Sequence, residues 1–308
     1  MPSNFSMTSL KLDKELTRQI IVQVAPQYIE LLRELQSNNK WVRLPDKFED
    51  IFKRWRLDSY VIVFDDGKHI SNCLGLFLMG QEGYKKFNDE IAALPIEEQQ
   101  HFASEWLRDL LDESTWSWME GLFPNTPEKE MIAKERFEAL SPDDKTEALK
   151  RGAWFWHLFF GWFYQYLSVM LHGEKLTSLV AKAKSGDLDA FVKAVHIEPR
   201  LLDSHPFFKA RFESARNKEA VDKSERNFLM RIGTSLAKRG GPGRISYPGL
   251  YVTFTILEIA GWLDGGFTHE EILDLCDEAG LDRWQNRIED VNYLTKRLSE
   301  YRKRIKRS

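Results

Sequence analysis

The sequence predicts a mainly α-helical protein, a multi-helix bundle with a C-terminal tri-helical module. Three observations carry this. Apolar residues recur at three- and four-residue spacing through most of the 308 residues. Helix-start signals recur, with Ser or Thr before Pro and acids in the next turn, as at Ser141-Pro142-Asp143-Asp144. Only one stretch, Tyr60 to Phe64, has the β-branched and aromatic run of a strand, followed by the turn formers Asp65, Asp66 and Gly67. It predicts a small hairpin at 59–72.

The elements follow in order. Residues 12–39 have apolar residues at helical spacing, a helix that Pro26 is expected to kink or split. Pro95 opens a helix with acids in its first turn. Thr126 and Ser141 are the predicted N-caps of the next two helices, the second spanning 142–172 and either breaking at Gly173 or continuing through "GEKLTSLVAKAKSG". "AKSGDLDAFVKAVHIEP" has the small-residue and Gly-Asp pattern of a helical hairpin. The loop "AKRGGPGRISYPG" cannot be helix and marks the best boundary. Beyond it, one helix is expected to end at Gly265 and Gly266. A second carries a Thr268–Glu271 capping box and stops at Gly280, and a third is capped by Asp282. The chain thus divides into 1–122, 123–239 and 245–308.

Composition narrows the class. Charged residues make up 30% and hydrophobic residues 43%, a globular balance. The formal charge of -3 excludes a general polyelectrolyte binder, so any nucleic-acid site must be local. Cys73 and Cys276 lie far apart and outside any CxxC pair, which argues against a disulfide framework or zinc module and fits a reducing compartment. With no apolar leader in its first residues, the chain is read as cytoplasmic.

The stretch "GAWFWHLFFGWFYQYLSVMLH", Gly152 to His172, has no Asp, Glu, Lys or Arg and nine aromatic residues. Its length suits a membrane span, but Trp162, Tyr164, Gln165 and Tyr166 would lie at the bilayer centre, where such residues are disfavoured. His157, Gly161, Gln165, Ser168 and His172 instead fall in one helical line. The stretch reads as the central helix of a bundle, with a narrow polar strip and a wide aromatic belt. His157 and His172 would stand about 22 Å apart and cannot share a metal.

Motifs for chemistry are sparse. Glu98 and His101 have the spacing of a di-iron ligand pair, but no second such pair exists, and a solvated face is the default. Asp65 and Asp66 after a strand suit either Mg²⁺ or, better, a turn. There is no Walker loop, GxSxG, HExxH or dinucleotide fingerprint. No cofactor and no metal is expected.

The C-terminal helix holds the main functional signal. Val291, Leu294, Leu298, Tyr301 and Ile305 form a heptad-like stripe that also offers a self-association seam. Around it cluster Lys296, Arg297, Arg302, Lys303, Arg304, Lys306 and Arg307, opposed only by Glu300. Cations favour a helix C-terminus, but seven exceed that need. With Tyr301 among them they suit contact with nucleic-acid phosphates or with an acidic protein surface, and a solvated basic tail with no partner explains them equally well. Lys238, Arg239 and Arg244 in the Gly-rich loop could add to it through phosphate contact, although a plain connector explains the loop equally well. A helix-turn-helix would expose Arg283, Trp284, Asn286 and Arg287, but Asp274, Asp277, Glu278, Asp282, Glu289 and Asp290 would then face phosphates.

"VMLHGEKLTSLVAKAKSGDLDAFVKAVHIEPRLL" and "RIEDVNYLTKRLSEYR" resemble segments of uncharacterised bacterial proteins found near mobile elements or phage-defence genes. The resemblance runs from Val169 onward and implies a component of such a system, with no site residues attached. The expected function is a non-enzymatic binding or assembly component. An enzyme or toxic effector with a site assembled from sequence-distant residues, with Asp65, Asp66, Glu98 and His101 as candidate members, is the second reading, and a membrane-surface protein the third.

Overall fold

A computed structural model describes residues 11–37, 89–90, 93–110, 127–237, 247–281 and 291–306. The expected hairpin at 59–72, Asp65, Asp66, the loop cations Lys238, Arg239 and Arg244, residues 282–290 and Arg307 lie outside the described residues. All regular elements among the described residues are helices. They are α1 (Lys14–Ser37), α2 (Ile96–Leu110), α3 (Pro127–Glu138), α4 (Pro142–His172), α5 (Leu176–Lys184), α6 (Leu188–Ile197), α7 (Leu201–Ser204), α8 (Pro206–Lys218), α9 (Lys223–Ala237), α10 (Pro248–Ile259), α11 (His269–Glu278) and α12 (Val291–Lys306).

The helix of the aromatic stretch is the spine. Ser141 caps α4 by accepting the Asp144 N–H at 3.2 Å, Pro142 occupies the first turn, and Asp143 and Asp144 face the positive helix end. At the other end Gly173 adopts φ 73°, a left-handed conformation suited to glycine, and its N–H bonds the Val169 carbonyl. Positions 159 to 170 are buried without exception, including Gln165 and Ser168. α4 packs against α2, α5, α6 and α10. No helix among the described residues is long and apolar enough to cross a membrane.

The polar strip on α4 receives the α5–α6 hairpin. Helix α5 starts at Lys175 without a side-chain cap of its own. Gln165 Oε1 accepts the Thr177 N–H at 3.3 Å, satisfying one of the donors that the first turn of α5 leaves open. Ser168 Oγ donates to the Glu174 carbonyl at 2.7 Å, and His172 Nε2 lies 3.1 Å from His196 Nδ1 on α6. Asp187 then caps α6 through the Asp189 and Ala190 N–H groups, closing the hairpin read from this segment. Helices α8 and α9 complete this region around Phe191, which sits 4.4 Å from Phe208 and 5.1 Å from Phe228.

α10 is apolar around its circumference and is buried from Gly249 to Leu257, the behaviour expected of a helix enclosed by neighbours. It touches α1, α4, α11 and α12. It ends at Ala260, earlier than Gly265 and Gly266. Gly261, at φ 80°, and the Trp262 N–H bond to the Leu257 carbonyl close it in a Schellman turn. A Cβ on Gly261 would stand 3.2 Å from Lys11 Cα, so the turn also lets the incoming chain pass closely. That segment is clasped there: the Leu12 N–H donates to the Ala260 carbonyl, and Trp262 Nε1 donates to the Leu12 carbonyl at 2.8 Å.

α1 runs through Pro26 as one helix rather than splitting. It packs on α10 and α11, with Lys14 to Glu271 and Arg18 to Glu278 ion pairs along the second contact. The Thr268–Glu271 capping box opens α11 as expected, and the helix closes into Gly280.

Candidate nucleic-acid interface

The outer surface of α12 is set by what its inner surface spends. Leu294, Leu298 and Tyr301 are buried in the common core. The self-association seam read from Val291, Leu294, Leu298 and Ile305 is therefore corrected: its two central leucines pack within the chain's own fold, on a helix seated against α10 and α11. The side chains of Val291 and Ile305 are outside the described set.

Tyr301 is likewise withdrawn from the surface. Its ring lies 5.9 Å from Tyr251 and 5.5 Å from Phe254, and it is fully buried. Its hydroxyl donates to Glu258 Oε2 at 2.9 Å and sits 3.1 Å from Thr255 Oγ1. Burial, then the Glu258 charge, holds the phenol well above its usual pKa, so it stays a neutral donor. Glu258 also meets Lys175 at 2.6 Å, which ties α12 through α10 to the start of α5.

Two of the cations are also structural. Arg302 donates to the Leu263 carbonyl at 2.7 Å and pairs with Asp264 at 3.0 Å, fastening α12 to the α10–α11 connection. Arg297 pairs with Glu300 at 2.7 Å and donates to the Tyr293 hydroxyl at 2.5 Å. Its guanidinium stands 4.9 Å from the Tyr247 ring centre and 4.7 Å from that of Tyr293.

Lys296 and Lys303 remain exposed. Tyr293, Lys296, Glu300 and Lys303 follow one another at three, four and three residues, a single helical line, and Arg307 extends the series four residues on by sequence. Glu300 is the one acid in the line, and Arg297 neutralises it. Among the described residues, three acids bonded to this helix or its seat have internal partners: Glu258 has Lys175 and Tyr301, Asp264 has Arg302, and Glu300 has Arg297. The backbones of Arg304 and Lys306 are helical, and their side chains are outside the described set.

Tyr247, three residues after Arg244, has φ 64° and ψ 52°, the only positive φ outside glycine among the described residues. The residue before a proline avoids even the right-handed helical region, so this conformation is strained, by about 1–3 kcal/mol. Its ring meets Tyr293 at 5.5 Å. Tyr247 thus lies beside the first turn of α12.

The sequence reading missed two polar clusters. One is the His172–His196 contact, because it compared His172 only with His157. The other joins α4 to the segment after α6. Arg200 forks onto Glu198, with Nε 2.8 Å and Nη2 2.5 Å from its two carboxylate oxygens, and also reaches Tyr164 Oη at 3.2 Å. Burial and the Glu198 charge push the Tyr164 pKa up, leaving a neutral hydroxyl between the helices. Glu198 is 1% exposed, so this is an interior ion pair rather than an open site. Glu198 and Arg200 are two residues apart, but Tyr164 joins them, and His172 meets His196, only where α4 packs on α6 and the segment after it.

Glu98 and His101 are exposed on α2. No group of three or more His, Cys, Asp or Glu among the described residues could hold a metal ion. Cys276 is buried, 3.4 Å from Thr253 Oγ1. No protein-family model, curated protein or solved structure matches the chain.

Proposed function

We propose that this protein is a non-enzymatic binding component that holds the phosphate backbone of a nucleic acid along the outer line of α12. The carrying observation is the division of labour on that helix. Arg297, Arg302 and Tyr301 are spent on the fold and engage neighbouring acids, which leaves Lys296 and Lys303 exposed while the one carboxylate in their line, Glu300, is paired with Arg297. Arg304, Lys306 and Arg307 add charge at the same end. Binding of this kind is electrostatic and independent of sequence, and each cation removed flattens the salt dependence by about 0.9 for duplex or about 0.7 for single strands. The reading places the protein in the cytoplasm, and the resemblance of its later segments points to a mobile-element or phage-defence system as the setting.

Truncating residues 296–308 would not test this, because it removes Leu298 and Tyr301 from the core. The informative protein is Lys296→Ala/Lys303→Ala, whose exposed substitutions leave the fold intact. Fluorescence anisotropy with a labelled oligonucleotide at low salt should show binding by the wild type and weaker binding by the variant. Equal affinities, or no binding by the wild type, would refute the proposal.

A further inference from the structure

We infer that the nucleic acid held on this face is single-stranded, with one of its bases stacked on Tyr293 beside Tyr247. The inference rests on the reading of α12 as a phosphate-binding line and adds to it the chemistry of the partner.

Tyr301, the aromatic residue that the basic cluster brings to notice, is in the core. Tyr293 is the aromatic residue in the exposed line. It stands three residues before Lys296, about 4.5 Å along the helix axis, so ring and first cation face the same side. Tyr293 and Tyr247 are both partly exposed, unlike the neighbouring Tyr251 and Tyr301, which the core absorbs. Two devices hold the pair in place. Arg297 lies against both rings and donates to the Tyr293 hydroxyl, while the left-handed backbone at Tyr247, locked against Pro248, fixes where the second ring leaves the chain. A ring already held still loses little freedom when a base stacks on it.

A duplex keeps the faces of its bases to itself, and an aromatic at the end of a phosphate line gains nothing from it. A single strand presents both phosphates and open base faces, and the combination of a cationic track with stacking rings is what holds it without regard to sequence.

The test uses the full chain with labelled oligothymidylate, oligouridylate and a short DNA duplex. The Tyr293→Ala variant should bind the tighter of the two single strands about tenfold or more weakly and the duplex within about twofold of wild type. Tyr293→Phe, which keeps the ring and loses the hydroxyl contact to Arg297, should retain single-strand affinity. In the wild type, irradiation with a 5-iodouridine strand should give an adduct at Tyr293, a readout that needs no variant to fold. Equal loss on single strand and duplex, loss in Tyr293→Phe as large as in Tyr293→Ala, or an adduct confined to other residues overturns the stacking inference while leaving the phosphate line standing. Failure of the wild type to bind any of the three probes, or binding indifferent to Lys296→Ala/Lys303→Ala, overturns the underlying function as well.

Discussion

The Tyr301 hydroxyl donates to the Glu258 carboxylate at 2.9 Å inside the core, at the point where α12 meets α10. Because Glu258 also holds Lys175, one carboxylate joins the C-terminal helix to the hairpin that docks on the spine. Tyr301→Phe keeps the ring packing and removes the donor. It should destabilise the protein by about 1–2 kcal/mol, the worth of a hydrogen bond to a charged acceptor discounted for the partial access of Glu258 to water. Urea unfolding measures this, and nucleic-acid affinity should not change, since Tyr301 is no part of the exposed line. A variant as stable as wild type would show that the contact contributes nothing.

Gly261 and Gly233 should respond in opposite directions to the same substitution. Gly261→Ala forces a Cβ onto φ 80° and toward Lys11 Cα at 3.2 Å. A loss of about 1 kcal/mol or more is expected there. Gly233 lies within α9 with nothing within 4 Å of an added Cβ, and Gly233→Ala should stabilise by about 0.5–1 kcal/mol through the lower backbone entropy of the unfolded chain. Thermal melts of the two variants decide it. If Gly261→Ala is neutral, the clasp between residues 11–12 and the end of α10 is looser than described.

Glu271 should contribute to acid sensitivity. Hydrogen bonds from Lys14 and from the Thr268 backbone hold its carboxyl below the ordinary value. A carboxylate with a depressed folded pKa stabilises above its unfolded pKa, about 4.3, and that contribution fades as pH falls through the lower folded value. Unfolding measured from neutral pH downward should therefore show a shallower loss below about pH 5 in Glu271→Gln than in wild type. Parallel curves would mean that the Lys14 contact is too well solvated to matter.

Much of this fold was legible because its signals are local. Ser141, Asp187 and the Thr268–Glu271 pair satisfy donors within three residues of themselves, so their chemistry is complete in the sequence. The spine was legible from the Gln165, Ser168 and His172 strip, but not what the strip does, because the N–H it caps belongs to Thr177 on another helix. Gly261 was overlooked in favour of Gly265 and Gly266 because three nearby glycines look alike until a packed neighbour such as Lys11 selects one. At the candidate site, Tyr301 belonged both to the apolar stripe and to the basic cluster. Burial decided between them: a residue in register with Leu294 and Leu298 faces the core, and Tyr293, on the other line, stays partly exposed. Charge counting alone cannot separate cations that fasten a helix from those that face a partner, since that depends on where Asp264, Glu258 and Tyr247 come to lie.

The central claim, a phosphate-binding line on α12, is tested most directly by the salt dependence of nucleic-acid affinity in wild type and Lys296→Ala/Lys303→Ala. The account predicts that log affinity falls linearly with log salt in both, with a slope shallower in the variant by about 1.4 on single strands, two cations' worth of released counterions. Identical slopes, or a wild type that does not bind at low salt, would contradict it.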